Sequence, residues 1–315
     1  MLKRPYGLAV AQLGPIQPQD TRAQCVARLL EMMREAASRG AKLVVFPELA
    51  LTTFFPRYWM NEQEAEQRYF EASMPGPETA ILFETARKLG IGFYLGYAEL
   101  TKEGRRFNTA VLVDAQANIV GRYRKIHLPG HSDHKPKAPF QHLEKKYFEV
   151  GNEGFKVWDT KEAKIGMCIC NDRRWPETWR VMGLQGAEIV ALGYNTPSVN
   201  IHWPEPPHLR MFHHLLTLQA AAYQNAVWVA ASAKAGVEDG SHLIGGSAIV
   251  APSGEIVAQA QGEGDEVIFC QADLAMGDTF KQHVFNFAAH RRPEHYRLII
   301  DRVGAGSTMG APPTD

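Results

Sequence analysis

Residues 38–46 read SRGAKLVVF, and residues 184–192 read LQGAEIVAL. In each, a glycine closes a helical pattern and an apolar, β-favouring run follows at once. A run that is continuous rather than alternating suits a strand covered on both faces. A second echo lies downstream. NTAVLVDAQANIVG at 108–121 matches GSAIVAPSGEIVAQ at 246–259, each reading as a strand, a short turn and another strand. The two echoes predict one folding unit written twice, over about residues 6–123 and 163–260.

The neighbouring patterns complete the unit. YGLAVAQL at 6–13 reads as a strand. Val26, Leu29, Leu30, Met33, Ala36 and Ala37 give 21–39 one apolar helical face, with Gly40 beyond its end. A helix is predicted over 77–89, with Pro77 at its start, and strands over 91–100, 107–113 and 118–123. The second part repeats the order, with strands at 163–169, 187–195 and 226–232 and helices at 176–185 and 208–224. Its hairpin at 247–260 turns on Pro252-Ser253-Gly254. Two half-sheets with helices outside predict an α/β, four-layer αββα sandwich, with a doubly wound three-layer sheet as the alternative. One domain is expected over 1–303, with a flexible tail at 304–315. The segment 124–162 is too polar for a buried strand and is expected to cover part of a site.

Composition narrows the function. Of 315 residues, 45% are hydrophobic and 22% charged, which excludes wholesale disorder. Lys plus Arg and Asp plus Glu both number 34, so no net field recruits nucleic acid or an anionic membrane. Zero net charge also weakens repulsion between copies of the chain. The four cysteines form no disulfide framework, and reduced thiols in a cytoplasmic setting are expected. MLKRPYGLAVAQLG starts like a secretion signal, but Gln12 and Gly14 interrupt its apolar run, which reads as the first strand. No apolar run is long enough to span a membrane.

Several polar side chains stand at or beyond predicted strand ends, where α/β sheets meet their ligands. Cys170 closes the run 163–169 and precedes Asn-Asp-Arg-Arg-Trp-Pro. A thiol near helix amides and cations is a candidate nucleophile; a buried structural thiol fits the same local pattern. Cys168 lies deeper on that strand and reads as packing. Glu48, after KLVVFP, could take a thiol proton and deliver it to a leaving amine, or could cap a helix or close a salt bridge. Lys125 in GRYRKIHLPG could hold an oxyanion or simply be solvated. Glu144 in FQHLEKKYF is a second carboxylate, able to hold the lysine or a water. His127 reads as an orienting or structural group, and His142 as one that fixes its loop. No metal site is legible: His213 and His214 point to different sides of one helix, and no HExxH occurs. No GxGxxG or GxxxxGK phosphate loop occurs either.

These residues converge on a resemblance. VVFPEL around Glu48, YRKIHL around Lys125 and MCICNDRRWPE around Cys170 resemble the three motifs of the nitrilase, or carbon–nitrogen hydrolase, superfamily. The likeness runs from about residue 6 to 300. It implies the αββα fold and a Glu48–Lys125–Cys170 triad, with Glu144 as the additional family glutamate. It also implies a cysteine-dependent amidohydrolase with no cofactor. The longer stretches FPELALTTFFPR, GHSDHKPKAPFQHLEKKYFEVG, CNDRRWPETWRVMGLQGAEI and GYNTP resemble the D-carbamoylase branch, which hydrolyses N-carbamoyl-D-amino acids. That resemblance places a substrate carboxylate on a fork made by Arg173 and Arg174, with Asn195 and Thr196 in the same pocket and the Asn171 backbone amide on the oxyanion. A carbamoyl-β-amino-acid hydrolase or an aliphatic amidase is the alternative. The expected partners are a small N-carbamoyl amino acid and further copies of the chain, as a homodimer or homotetramer, with HVFNF and HYRLII near the C-terminus as contacts.

Overall fold

A computed structural model describes residues 2–138, 140–199 and 205–305. Among them, the first sheet runs in the order Glu266–Asp273, Pro5–Gln12, Leu43–Val45, Gly92–Leu100, Arg106–Val113, Ile119–Arg124. The short strand Phe70–Glu71 also pairs with Gly92–Leu100. The second sheet runs Ile256–Gln259, Ala248–Val250, Trp228–Ala233, Ile189–Tyr194, Lys164–Ile169, Val157–Asp159. In each sheet three neighbouring strands are parallel and the next two are an antiparallel hairpin. This shared order is what the two sequence echoes encode.

The sheets pack face to face because strand residues alternate in direction. Leu8, Val10, Leu43 and Val45 join a core containing Met167, Ile189 and Leu192 of the second sheet. Their neighbours Ala9, Ala11 and Val44 pack instead with Leu29 and Met33 of the helix Arg22–Ser38 and Leu82 and Phe83 of the helix Ala80–Leu89. Helices Pro176–Leu184 and Pro207–Asn225 contribute Trp179, Met182, Leu218 and Ala222 to the second sheet's packing. The fold is the αββα sandwich, and the three-layer alternative does not hold.

Several local expectations change. The helix predicted from Pro77 begins at Ala80, because Thr79 Oγ1 accepts the Gly76 N–H at 2.8 Å and holds 76–79 as a turn. The segment 124–162, read as too polar for a buried strand, supplies the half-buried to exposed edge strand Val157–Asp159. An edge position needs only one buried flank, so its polarity is tolerated. The strand Glu266–Asp273 returns from the second part to pair antiparallel with Pro5–Gln12 in the first sheet. The helix Glu62–Tyr69 and the hairpin Ala235–Glu238 with Ser241–Ile244 carry no strong periodic signal. Most of the predicted tail, residues 306–315, lies outside the described residues.

Candidate active site

Glu48 leaves the first sheet just after Leu43–Val45 and is fully buried between the two sheets. Glycine makes the space. A Cβ at Gly96 would lie 2.8 Å from Glu48 Cα, and one at Gly193, from the other sheet, 2.5 Å from Glu48 N. Three donors fix its carboxylate and leave Oε2 with room to accept another proton. Oε1 accepts from Asn108 Nδ2 at 2.7 Å and Lys125 Nζ at 2.8 Å, and Oε2 accepts the Asn195 backbone N–H at 2.9 Å. The helix-capping reading of Glu48 therefore gives way to a buried ion pair. Nothing in the local sequence marks Asn108 as a site residue beyond its being a polar amide near the start of an apolar strand.

Lys125 follows Ile119–Arg124 and is also fully buried, so it is not a solvated lysine. Its ammonium lies between Glu48 and Glu144 Oε2, the latter at 2.5 Å. Glu144 begins the short helix Glu144–Tyr147, and its other oxygen contacts His142 Nε2 at 3.0 Å. Burial would lower the Lys125 pKa, but the charges of Cys170, Glu144 and Glu48 outweigh it and raise the pKa above the usual lysine range. Burial would likewise raise Glu144, yet Lys125 and His142 hold it below the ordinary carboxylate value.

Cys170 ends Lys164–Ile169 with a left-handed backbone, φ 48°, and starts the tight turn Cys170–Arg174. The fully buried Asp172 ties that turn down. It accepts from the Ile169 N–H, the Tyr123 hydroxyl and the His127 N–H at 2.7–3.0 Å, and meets His127 Nδ1 at 2.8 Å. The thiol Sγ lies 3.6 Å from the Asn195 carbonyl. Asn195 thus touches Glu48 through its N–H and Cys170 through its C=O, which brings carboxylate and thiol around one residue. Burial, then Glu48, pushes the thiol pKa up, while Lys125 and Arg173 partly offset this. Cys168 is wholly enclosed in the apolar core.

The arginine fork does not form as one unit. Arg173 is 1% exposed, with Nη1 3.8 Å from Cys170 Sγ and Nη2 donating to Thr196 Oγ1 at 2.8 Å. Its guanidinium also stacks over the Tyr194 ring, and its Nε has no partner. Among the described residues it closes no ion pair. Arg174 turns outward and is exposed, donating to Asn171 Oδ1 at 3.0 Å. Asn171 in turn donates to the His127 carbonyl, and the His127 ring stacks on Trp175. Successive residues of a tight turn cannot share one direction, which is why the pair splits. His213 is exposed, whereas His214 is buried against the Tyr194 hydroxyl at 2.8 Å. Among the described residues no group of three or more His, Cys, Asp or Glu could hold a metal ion. No helix among them is long and apolar enough to cross a membrane.

Residues 7–282 match the family model for carbon–nitrogen hydrolases. The chain belongs to the carbon–nitrogen hydrolase family. A citrullinase from Francisella tularensis is 32% identical over 307 residues, covering 93% of this chain and 97% of that protein. An N-carbamoylputrescine amidase from Arabidopsis thaliana is 31% identical, covering 89% and 91%. The crystal structure of a carbon–nitrogen hydrolase from Helicobacter pylori G27 superposes with a TM-score of 0.82 at 23% identity, covering 95% of this chain and 99% of that one. An amidase from Nesterenkonia sp. AN1, at TM-score 0.73 and 20% identity over 94% and 98% of the two chains, was captured with an acetamide moiety on its active-site cysteine. This carbon–nitrogen hydrolase is therefore an enzyme of a family that acts on C–N bonds.

Proposed function

We propose that this carbon–nitrogen hydrolase converts N-carbamoyl-D-amino acids to D-amino acids, ammonia and carbon dioxide. The observation that carries the substrate class is Arg173, a buried cation beside the thiol with no anionic partner among the described residues. An unpaired buried charge is costly, and a substrate carboxylate would relieve that cost. The same cation disfavours an ammonium-bearing substrate such as N-carbamoylputrescine. The D preference rests on the sequence resemblance to D-carbamoylases.

In this reading Glu48 takes the Cys170 proton as sulfur bonds to the ureido carbon. Lys125, kept cationic by its carboxylates, and the Asn171 amide hold the oxyanion. The C–N bond to the terminal nitrogen breaks, Glu48 protonates that nitrogen, and ammonia leaves an S-carbamoyl enzyme still bearing the amino-acid nitrogen. Water, deprotonated by Glu48 and positioned with Glu144, then displaces sulfur. The released carbamate loses carbon dioxide. Asn195, Thr196 and Arg173 bind the substrate, and His127 and His142 support Asp172 and Glu144. The enzyme needs no cofactor, works in the cytoplasm, binds neither nucleic acid nor membrane, and assembles as a homodimer or homotetramer.

The test compares kcat/KM for matched N-carbamoyl-D- and L-amino acids, N-carbamoyl-β-alanine, N-carbamoylputrescine, citrulline and a neutral amide. D-selective turnover is expected, and Arg173→Ala should lower it by roughly thirty-fold to a thousand-fold, the value of a used charge-assisted contact. Equal D and L turnover, or preference for the neutral amide, rejects the named substrate and leaves the hydrolase class intact.

A further inference from the structure

Tyr94 belongs to the first sheet, yet its side chain reaches into the second. Its backbone carbonyl accepts the N–H of Phe46 at 3.0 Å, two residues before Glu48. Its hydroxyl donates to the Cys168 carbonyl at 3.1 Å, two residues before Cys170. The same oxygen accepts the Gly193 N–H at 3.1 Å, two residues before Asn195. One fully buried residue therefore grips all three chain segments at the same remove from the residues they deliver.

The contact lies where the two strands of the second sheet part. Cys168 is opposite Leu192 and Ile169 opposite Gly193 in the last registered pairs before Cys170 turns away. A backbone carbonyl and N–H facing each other across parallel strands would ordinarily satisfy one another. Here both are bonded to a hydroxyl carried by the opposite sheet, so sliding one sheet over the other would break two buried hydrogen bonds. Gly193 has no side chain to spare for this: a Cβ there would come within 3.0 Å of the Tyr94 ring.

We infer that Tyr94 is a positioning residue that sets the separation between Glu48 and Cys170, by anchoring both strand ends across the sheet interface. The inference rests on the reading of Glu48 as base and Cys170 as nucleophile. Proton transfer needs donor and acceptor within hydrogen-bond reach, so a shift of the order of 1 Å can cost about a hundred-fold in rate.

The test replaces Tyr94→Phe, which keeps the ring and the backbone and removes only the clasp. The readout is the second-order rate of Cys170 alkylation by iodoacetamide between pH 6 and 9, with Cys170→Ala as the blank, together with Tm and steady-state kinetics. Alkylation at pH 7 should fall at least about ten-fold, to the level of Glu48→Gln, and Tyr94→Phe/Glu48→Gln should show no further loss, because both act through one proton transfer. With a turned-over substrate, kcat should fall while KM stays within about two-fold. A lowered Tm with an unchanged alkylation rate, or losses that simply add in the double variant, overturns the inference. Alkylation needs no carbamoyl substrate, so failure of the substrate assignment leaves this result readable.

Discussion

Cys168 and Cys170 stand two residues apart on one strand and have opposite surroundings. The Cys168 side chain is enclosed in the apolar core, whereas Cys170 faces Arg173, the Asn195 carbonyl and the charges of Glu48 and Lys125. Cys170→Ala should abolish turnover with the circular dichroism spectrum unchanged. Cys168→Ala should keep most activity and lose about 1 kcal/mol of stability to a small cavity, read as a denaturation midpoint. Comparable turnover by wild type and the Cys170 variant would remove the proposed nucleophile. Gly193 makes a separate prediction. Its added methyl would meet Glu48 backbone, which no rotamer change relieves. Gly193→Ala should therefore destabilise by about 1–3 kcal/mol and lower kcat by about a hundred-fold or more. A fully active, fully stable Gly193→Ala enzyme would show that Glu48 can move without consequence.

Between elements, buried charge clusters hold the loops that frame the site. Glu238, on the strand Ala235–Glu238, accepts from Lys234 Nζ, the Phe54 N–H, the Ile16 N–H and Arg57. The Phe54 ring then packs edge-on against His142, the partner of Glu144. Burial would raise the Glu238 pKa, but Lys234 and Arg57 outweigh it and hold it below the usual range. Because Glu238 and Glu144 both titrate lower folded than unfolded, their contribution is complete above the ordinary glutamate range. It is lost as pH falls through their folded values. Chemical denaturation from pH 7 to pH 3 should show stability declining on acidification. Glu238→Gln should cost about 3–5 kcal/mol at pH 7, by stranding two buried cations, and flatten the acid slope. An unchanged slope in that variant would mean that the carboxylate is not what acid titrates.

At the scale of the molecule, the chain closes on itself and exposes an apolar cluster near residue 300. Glu266–Asp273 joins the first sheet beside Pro5–Gln12, so the second half of the chain completes the first. Beyond it, the short helix Arg297–Asp301 exposes Leu298, Ile299 and Ile300, the last at 76%, and Val303 follows. Phe285 and Phe287 are half-buried, with Phe285 edge-on against Tyr223. Exposed apolar clusters of this kind mark association surfaces. The proposed homodimer or homotetramer should sediment at twice or four times 35.1 kDa across micromolar concentrations. Ile299→Glu with Ile300→Glu should shift it toward monomer. A persistent 35.1 kDa species in the wild type would refute the assembly.

The doubled unit, the succession of strands and helices in each half and the exits of Glu48, Lys125 and Cys170 near strand ends could all be read from the chain alone. They follow from local periodicity and from glycines and prolines that stop elements, signals confined to neighbouring residues. Resemblance of three short motifs supplied the chemistry that those exits share. What the tertiary structure decided is which groups meet. Lys125 lies 77 residues from Glu48, Asn195 lies 147 away, and nothing local announces either bond. Asp172, Asn108 and Tyr94 read as an ordinary turn acid, strand amide and core aromatic until burial shows each bridging separate segments. Arg173 and Arg174 are chemically equal in sequence; the turn buries one beside the thiol and leaves the other exposed. Periodicity records which face of an element is apolar, whereas burial of a charge depends on what packs against it from distant chain, and only the assembled sheets supply that.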